Sequence, residues 1–336
     1  MSSGVTGAGP APAAPSPPPL PAAQVQMDGR LRLYRTFPSR LVAFTSGPDP
    51  APAGTVVFIP GLSDGPLALP YVPALGAAGA ARGWALCQPV LSSSYLGFGT
   101  NSLAQDVLEL DALLDGIDGR IVLIGHSTGC QDIVAYLRSG AGRGRVVAAV
   151  MQGAVSDRQA MGMEHGDAAV AAAAASATAL VSRGQGEVLM PRDTPGVFDT
   201  PVSAVRYASL AGRLTADDMF SADLTDAELA VQLGHMAAGP IPAGGEGGDA
   251  QLQSRSPPSL MWAFSGCDEY VPTVVKETYS ALGSRISAAA GGGGGSAESS
   301  SRCVVIEGGN HSLDGEPGTE FVKLVGDFLD QLPPLL

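Results

Sequence analysis

The feature that most constrains the fold of this chain is an alternation of short apolar runs with longer segments of helical spacing. The short runs are four to six residues long, rich in aliphatic side chains and bounded by glycine or proline, which is typical of strands buried on both faces. They lie at 31–34, 41–44, 55–59, 85–88, 120–124, 146–151, 260–264 and 303–306. The helical segments lie at 69–81, 102–114, 128–138, 273–282 and 319–332. Strands that alternate with helices predict an α/β fold with a mostly parallel, doubly wound sheet, whose first two strands form an antiparallel edge.

A long interval between the sixth and seventh runs interrupts this alternation. Residues 155–240 contain no strand-like run and favour helices, so they predict a helical cap inserted after the sixth strand. Open parallel sheets bind ligands at the carboxyl ends of their strands, and a cap placed there is expected to enclose a substrate.

Two low-complexity tracts flank or interrupt the predicted domain, which spans 27–336. Residues 1–26 are dominated by alanine, proline, serine and glycine and bury too little apolar surface to fold, so they predict a disordered tail. Residues 284–301 contain five consecutive glycines between two patterned segments, which predicts a flexible surface insertion.

Charge and composition exclude several classes of function. Nineteen lysines and arginines stand against 32 acidic residues, a net charge of −13, which disfavours nucleic acid and anionic membrane surfaces as partners. No apolar run reaches the roughly 18 residues of a membrane-spanning helix, and no secretory signal is apparent. The four cysteines lack metal-ligand spacing, which predicts reduced thiols in a cytoplasmic protein without a metal or organic cofactor. A plastid location is the alternative.

The segment Gly125-His126-Ser127-Thr128-Gly129 has the pattern of a nucleophile elbow. An aliphatic run precedes it and a helical pattern follows it, so Ser127 is predicted on a sharp turn between a strand and a helix. Side chains two positions before and after the serine would collide with neighbouring backbone, and glycine occupies both positions. This context predicts a nucleophilic serine in an α/β-hydrolase fold. The alternative is an ordinary turn serine in a chain that holds 45 glycines.

A serine nucleophile needs a general base, normally a histidine, and the chain has four. His126 adjoins Ser127, and its ring is expected to point away across the turn in a packing or hydrogen-bonding role. His165 and His235 lie on polar or mixed segments of the predicted cap and are expected to be solvated. His311 follows the eighth strand on a loop at the carboxyl edge, so it is the predicted general base. The alternative is a surface histidine.

The third residue of such a site is a carboxylate that orients the histidine and stabilises its cation. Asp268 lies in the loop after the seventh strand, which gives the chain order Ser127, Asp268, His311 that this fold uses. Glu269 is the adjacent competitor and is expected to be solvated. Asp157, after the sixth strand, is the alternative acid.

Two backbone amides are expected to form an oxyanion hole. Thr128, the residue after the nucleophile, supplies the first. The second is predicted at Leu62, because Gly61 allows the loop after the third strand to turn the next amide toward the serine.

Six motifs, one of which contains the elbow, stand out along the chain: SSSYLGFG at 92–99, GHSTGCQD at 125–132, VSDR at 155–158, LMPR at 189–192, MFSADL at 219–224 and SGCDEYVP at 265–272. They resemble motifs of the DUF1749 (UPF0613) family of α/β-hydrolase-like proteins from fungi, plants and algae. The resemblance implies an α/β-hydrolase fold and ester hydrolysis, without a single agreed substrate. The chain departs from the family in its Pro/Ala-rich head and its Gly/Ser insertion, which leave the predicted catalytic positions untouched.

These residues together predict a serine hydrolase that cleaves a small-molecule carboxylic ester through a Ser-His-Asp triad and an acyl-enzyme intermediate. Tyr95 and Phe98, after the fourth strand, are candidates to contact the substrate, with packing in the core or cap as the alternative. A thioesterase, peptidase or acyltransferase uses the same triad, because the pocket selects the leaving group and the acceptor. The rival from another class is a non-catalytic ligand-binding protein of the same fold.

Overall fold

A computed structural model describes residues 25–197, 200–237, 257–276, 279–292 and 301–333. All eight predicted strands are present in one sheet, in the order β1-β2-β4-β3-β5-β6-β7-β8. Their bounds are β1 Arg30–Arg35, β2 Leu41–Ser46, β3 Gly54–Ile59, β4 Trp84–Pro89, β5 Ile121–His126, β6 Val146–Gln152, β7 Ser259–Ser265 and β8 Ser301–Ile306. The strands from β4 to β8 along this order are parallel, whereas β1 pairs antiparallel with β2 and β2 antiparallel with β4. The predicted antiparallel edge is therefore confirmed.

Helices cover both faces of the sheet because the central strands are apolar at nearly every position. Every residue of β3, β4 and β5 is buried, as expected for parallel strands packed on both sides. One face packs against α1 (Val72–Ala80) and α10 (Glu316–Asp330). The other packs against α2 (Leu103–Asp115) and α3 (Thr128–Ser139).

The helices between β6 and β7 divide into two groups. The first group is α4 (Asp157–His165), α5 (Asp167–Ser182) and α6 (Ala204–Ala211), which share an apolar cluster of their own. The last helix, α7 (Asp226–Leu233), instead buries Leu229 and Leu233 in the core on the α2 and α3 face of the sheet. The predicted insertion is thus helical, but the part that packs separately from the sheet is α4 to α6.

The interval predicted as a flexible insertion at 284–301 is helical over its first half. After α8 (Thr273–Lys276), α9 (Tyr279–Ser287) continues into a π-helical turn, Ala288–Gly292. Ile286 and Ala290 are fully buried and lie four residues apart, so one side of this segment packs into the core. The prediction is wrong for 284–292, and the remaining glycines from 293 lie outside the described residues, as does nearly all of the predicted tail at 1–26. None of the helices in the described part of the chain is long and apolar enough to cross a membrane.

Candidate active site

Ser127 forms the turn between β5 and α3 by itself. Its backbone has φ 53° and ψ −121°, a left-handed conformation that costs a non-glycine residue on the order of 1–3 kcal/mol. The turn is held to the neighbouring strand, because the Ser127 N–H donates to the Gln152 carbonyl oxygen at 3.0 Å. A Cβ atom at Gly125 would collide with the Gly129 carbonyl, and one at Gly129 with the Ile59 carbonyl. The predicted mechanical need for both glycines is confirmed.

His311 and Asp268 are joined by a hydrogen bond between two loops at the carboxyl edge. The His311 Nδ1 atom lies 2.8 Å from Asp268 Oδ2, and the residues are 6% and 0% exposed. The other carboxylate oxygen of Asp268 accepts the Tyr270 N–H at 3.0 Å. Glu269 is exposed, as expected, but it also accepts the His311 backbone N–H at 2.9 Å. The loop after β7 thus fixes both the ring and the backbone of His311.

The ring of His311 lies beside the elbow. Its centroid is 4.6 Å from that of His126, the residue before Ser127, and 4.8 Å from that of Tyr270, which presents its ring at a steep angle. A Cβ atom built on Gly153 would lie 3.2 Å from His311 Cε1 and 3.6 Å from His126 Nδ1. The fold therefore gathers the predicted serine, histidine and aspartate at one end of the sheet.

The other histidines have different surroundings. His165 is exposed, as expected. His235 is not solvated as expected: it is half-buried and its Nε2 atom donates to the Val134 carbonyl oxygen at 2.9 Å, because the segment after α7 packs on α3. Burial lowers the pKa of His235.

Asp157, the alternative acid, is hydrogen-bonded to a glutamine side chain, whereas a catalytic aspartate needs a histidine as its partner. It is the first residue of α4, and its carboxylate accepts the Gln131 Nε2–H at 2.7 Å. Burial and the charge of Asp217 raise the pKa of Asp157 to about 7. The hydrogen-bonded carboxylate at His311 is that of Asp268.

The residues predicted to form the oxyanion hole lie close to the elbow. Thr128 begins α3, so its N–H belongs to the first turn, where a helix provides no acceptor of its own. A Cβ atom at Gly61 would lie 3.0 Å from Ser127 Cβ and 3.1 Å from His126 Cδ2, so glycine permits this loop to approach the turn closely. Leu62 and Thr128 line one small cavity of about 20 Å³, room for a single water molecule.

Buried ionisable groups also line this cavity, and they were not predicted from the sequence. Asp106 of α2 accepts the Ser93 hydroxyl at 2.7 Å, and burial raises its pKa to about 7. Burial and the facing Asp106 raise the pKa of Asp132, on α3, well above its usual value. Arg206, on α6, also lines the cavity and is paired with Asp217 through two contacts of 2.8 Å. In the sequence, the sign of these buried charges is an acidic residue on the apolar side of an amphipathic helix, Asp106 in α2 and Asp132 in α3.

Two further residues near the site were also missed. Asp64 follows the Gly61 turn, and its pKa is raised by burial against the opposing influence of His311. Gln152, the last residue of β6, is fully buried between His126 and the His311 loop. Neither residue belongs to a motif that sequence reasoning recognises. The described part of the chain contains no group of three or more His, Cys, Asp or Glu side chains arranged to hold a metal ion.

The two candidate substrate contacts lie in different surroundings. Phe98 is 3% exposed and belongs to the apolar cluster of α4 to α6, so it packs in the cap and also borders the small cavity. Tyr95 is 53% exposed, and its ring lies against Gly65.

The sheet order, the strained serine turn and the helices on both faces define an α/β-hydrolase fold. The chain belongs to the DUF1749 family, whose model, described as a protein of unknown function, matches residues 23–330. It is 33% identical over 193 residues to a UPF0613 protein of Schizosaccharomyces pombe, covering 54% of this chain and 61% of that protein. It is 28% identical over 357 residues to an esterase of Emericella nidulans, covering 88% of this chain and 92% of that protein. Among solved structures, the siderophore hydrolase EstB from Aspergillus fumigatus superposes with a TM-score of 0.71 at 27% identity, covering 92% of this chain and 99% of that one.

Proposed function

We propose that this protein is a serine hydrolase that cleaves a small-molecule carboxylic ester through an acyl-enzyme intermediate. The observation that carries the proposal is the hydrogen bond of 2.8 Å between buried Asp268 and His311, beside a serine held on a strained turn. A carboxylate bonded to Nδ1 leaves the other ring nitrogen to act on the serine hydroxyl.

In the proposed reaction, Ser127 Oγ attacks the ester carbonyl carbon while His311 Nε2 takes the hydroxyl proton. The Thr128 and Leu62 amides stabilise the negative oxygen of the tetrahedral intermediate, and Asp268 stabilises the His311 cation. The cation then gives its proton to the departing alkoxide, which leaves as an alcohol. A water molecule, deprotonated by His311, attacks the acyl-enzyme and releases the carboxylic acid.

The relatives support ester hydrolysis over other uses of the fold. One related protein is named an esterase and the related structure is named a siderophore hydrolase. A thioesterase or acyltransferase would use the same Ser127 chemistry with a different leaving group or acceptor. A non-catalytic binding protein has no need for a buried carboxylate that orients a histidine beside a strained serine.

A fluorophosphonate probe tests the nucleophile. We expect covalent labelling of the wild-type protein, loss of labelling in Ser127→Ala, and unchanged labelling in Ser139→Ala, an exposed serine at the end of the same helix. Well-folded wild-type protein that takes no label would exclude the proposed nucleophile. Hydrolysis of esters of graded acyl length, a matched thioester and an ester-linked siderophore then identifies the substrate class.

A further inference from the structure

Gln152 uses the full hydrogen-bonding capacity of its side chain at the centre of the proposed site. It is fully buried at the end of β6. Its Nε2 group donates to Ser265 Oγ and to the His311 carbonyl oxygen, both at 3.1 Å. Its Oε1 atom accepts the Tyr71 hydroxyl at 3.0 Å and lies 2.6 Å from His126 Nδ1.

These contacts determine which way the amide faces. A glutamine amide has two N–H donors and one oxygen with two acceptor positions, and all four are used here. The opposite orientation would place the amide oxygen against the His311 carbonyl oxygen, where neither atom can donate. The oxygen of Gln152 therefore faces His126.

The orientation of the amide in turn determines the protonation of His126. An amide oxygen can only accept, so the hydrogen bond of 2.6 Å requires the proton to be on His126 Nδ1. Burial and the facing His311 lower the pKa of His126 to about 3, so its ring stays neutral near pH 7. His126 is thus a neutral imidazole with its single proton on Nδ1.

A neutral His126 matters because its ring centroid is 4.6 Å from that of His311. In the proposed reaction His311 becomes a cation, and a second cation at this distance would oppose it. In the described part of the chain, the ionisable groups that face His311 from other elements are acidic: Asp268 and Glu269 from the loop after β7, Asp64 from the loop after β3, and Asp157 at the start of α4.

The backbone carbonyl group of Gln152 accepts hydrogen bonds from the serine turn. Its carbonyl oxygen accepts the Ser127 N–H at 3.0 Å and the Cys130 thiol at 3.3 Å. One residue thereby connects the serine turn, through its backbone, to the His311 loop, through its side chain. A displacement of about 1 Å between catalytic groups can cost about 100-fold in rate.

We infer that Gln152 is a positioning residue that holds the His311 loop against the serine turn and fixes the proton of His126 on Nδ1. Its effect on rate rests on the proposed hydrolase function. Its effect on His126 does not, so the two can be tested separately.

The protonation of His126 is tested by NMR of the full chain labelled with 15N-histidine, which gives only four imidazole patterns. Replacing each histidine in turn assigns them. We expect His126 to carry its proton on Nδ1 and not to titrate between pH 5 and pH 9. In Gln152→Met, which removes the acceptor at Nδ1, we expect His126 to carry its proton on Nε2 and to remain neutral over this range. A wild-type His126 that titrates there, or that carries its proton on Nε2, would overturn the inference without any measurement of turnover.

The effect on catalysis is tested with Gln152→Met, Gln152→Glu and a control, Gln331→Glu, at an exposed position at the end of α10. Fluorophosphonate titration gives the concentration of active sites, so that kcat is expressed per reactive serine. We expect both Gln152 variants to lose about 100-fold in kcat, with KM within about threefold of wild type. In Gln152→Glu the ascending limb of the pH profile of kcat/KM should also move to higher pH, because a carboxylate stabilises the His311 cation.

A merely structural role for Gln152 predicts a different result. It would lower the melting temperature and the fraction of reactive serine, but leave kcat per reactive serine and the pH profile as in wild type, and that outcome overturns the inference. If the wild-type protein shows neither labelling nor turnover, the proposed function fails, and the NMR experiment alone decides the role of Gln152.

Discussion

At the scale of single residues, two aspartates at neighbouring strand ends have opposite surroundings. Asp268 has one oxygen on the His311 ring and the other on the Tyr270 amide, so both of its oxygens accept hydrogen bonds from the loops of the proposed site. Asp157 has the side-chain amide of Gln131 as its partner, and burial raises its pKa to about 7. Stabilisation of a histidine cation requires a carboxylate hydrogen-bonded to the ring, which Asp268 provides and Asp157 does not.

This difference predicts opposite results for two conservative substitutions. Asp268→Asn replaces a hydrogen-bond acceptor facing His311 Nδ1 with a group that favours the wrong tautomer, so we expect kcat to fall by about 10³- to 10⁴-fold. Asp157→Asn keeps an oxygen that accepts the Gln131 amide, so we expect kcat within about threefold of wild type. The measurement is kcat on one ester for both purified proteins, with circular dichroism as a check on folding. A large loss in Asp157→Asn would make it the catalytic acid.

The positions of the predicted catalytic residues could be inferred from the sequence because each follows a recognisable strand. A strand end fixes the position of its next few residues along the carboxyl edge, and this placed Ser127, Asp268 and His311 together. The environment of Gln152 could not be predicted, because its partners come from four separate segments that converge only in the folded chain. The burial of His235 was missed for the same reason, since it depends on how the segment after α7 packs.

At the scale of elements, α2, α3 and α6 meet around buried charge. The apolar stripe of α2 places Asp106 among core residues, where it faces Asp132 from α3 and Arg206 from α6. Burial favours the neutral carboxyl, so the folded protein holds a proton on Asp106 up to about pH 7, which the unfolded chain releases near pH 4. The folded state thus binds more protons than the unfolded state between these two pH values.

From this excess of bound protons we predict that the contribution of Asp106 to the free energy of unfolding falls as pH rises from about 4 to 8. Complete loss of the proton on Asp106 corresponds to at most about 4 kcal/mol, shared with the facing Asp132. Asp106→Asn removes the titrating group and keeps an oxygen for the Ser93 hydroxyl, so its free energy of unfolding should lack the decrease between pH 5 and pH 8 that Asp106 contributes in wild type. Urea unfolding at pH 5 and pH 8 measures the difference.

The control for this prediction is Asp115→Asn, at an exposed position at the end of the same helix. It removes the same charge from the surface, so we expect the pH dependence of wild type. If Asp106→Asn and Asp115→Asn show the same slope, the buried carboxyl is not the source of the pH dependence.

The alternation of strands and helices could be predicted because each element carries its own periodicity. The boundaries inside the helical insertion could not, because α6 and α7 have similar local patterns and differ in what they pack against. The helical segment at 288–292 was not predicted for a related reason: its composition is that of a linker, whereas Ala290 within it and Ile286 just before it are covered by other parts of the core.

At the scale of the whole molecule, the net charge of −13 acts on every substrate that approaches. Negative charge is also concentrated near the proposed site, where exposed Glu269 and partly buried Asp64 lie close to His311. A surface of one sign raises the local concentration of opposite charges and lowers that of like charges, most strongly where the charge lines a cleft. The protein should therefore favour cationic over anionic esters for a reason independent of pocket shape.

The salt dependence of hydrolysis tests this preference with two esters of the same shape, butyrylcholine and 3,3-dimethylbutyl butyrate, which differ in one positive charge. Between 10 mM and 500 mM NaCl the Debye length shrinks from about 30 Å to a few ångströms. We expect kcat/KM for the cationic ester to fall by about three- to tenfold, with less than a twofold change for the neutral ester. The ratio of the two values removes any effect of salt on the protein itself, because both esters would be hydrolysed at the same proposed site. An unchanged ratio would mean that the net charge of the molecule has no effect on substrate capture at the site, and that selectivity depends on the shape of the site alone.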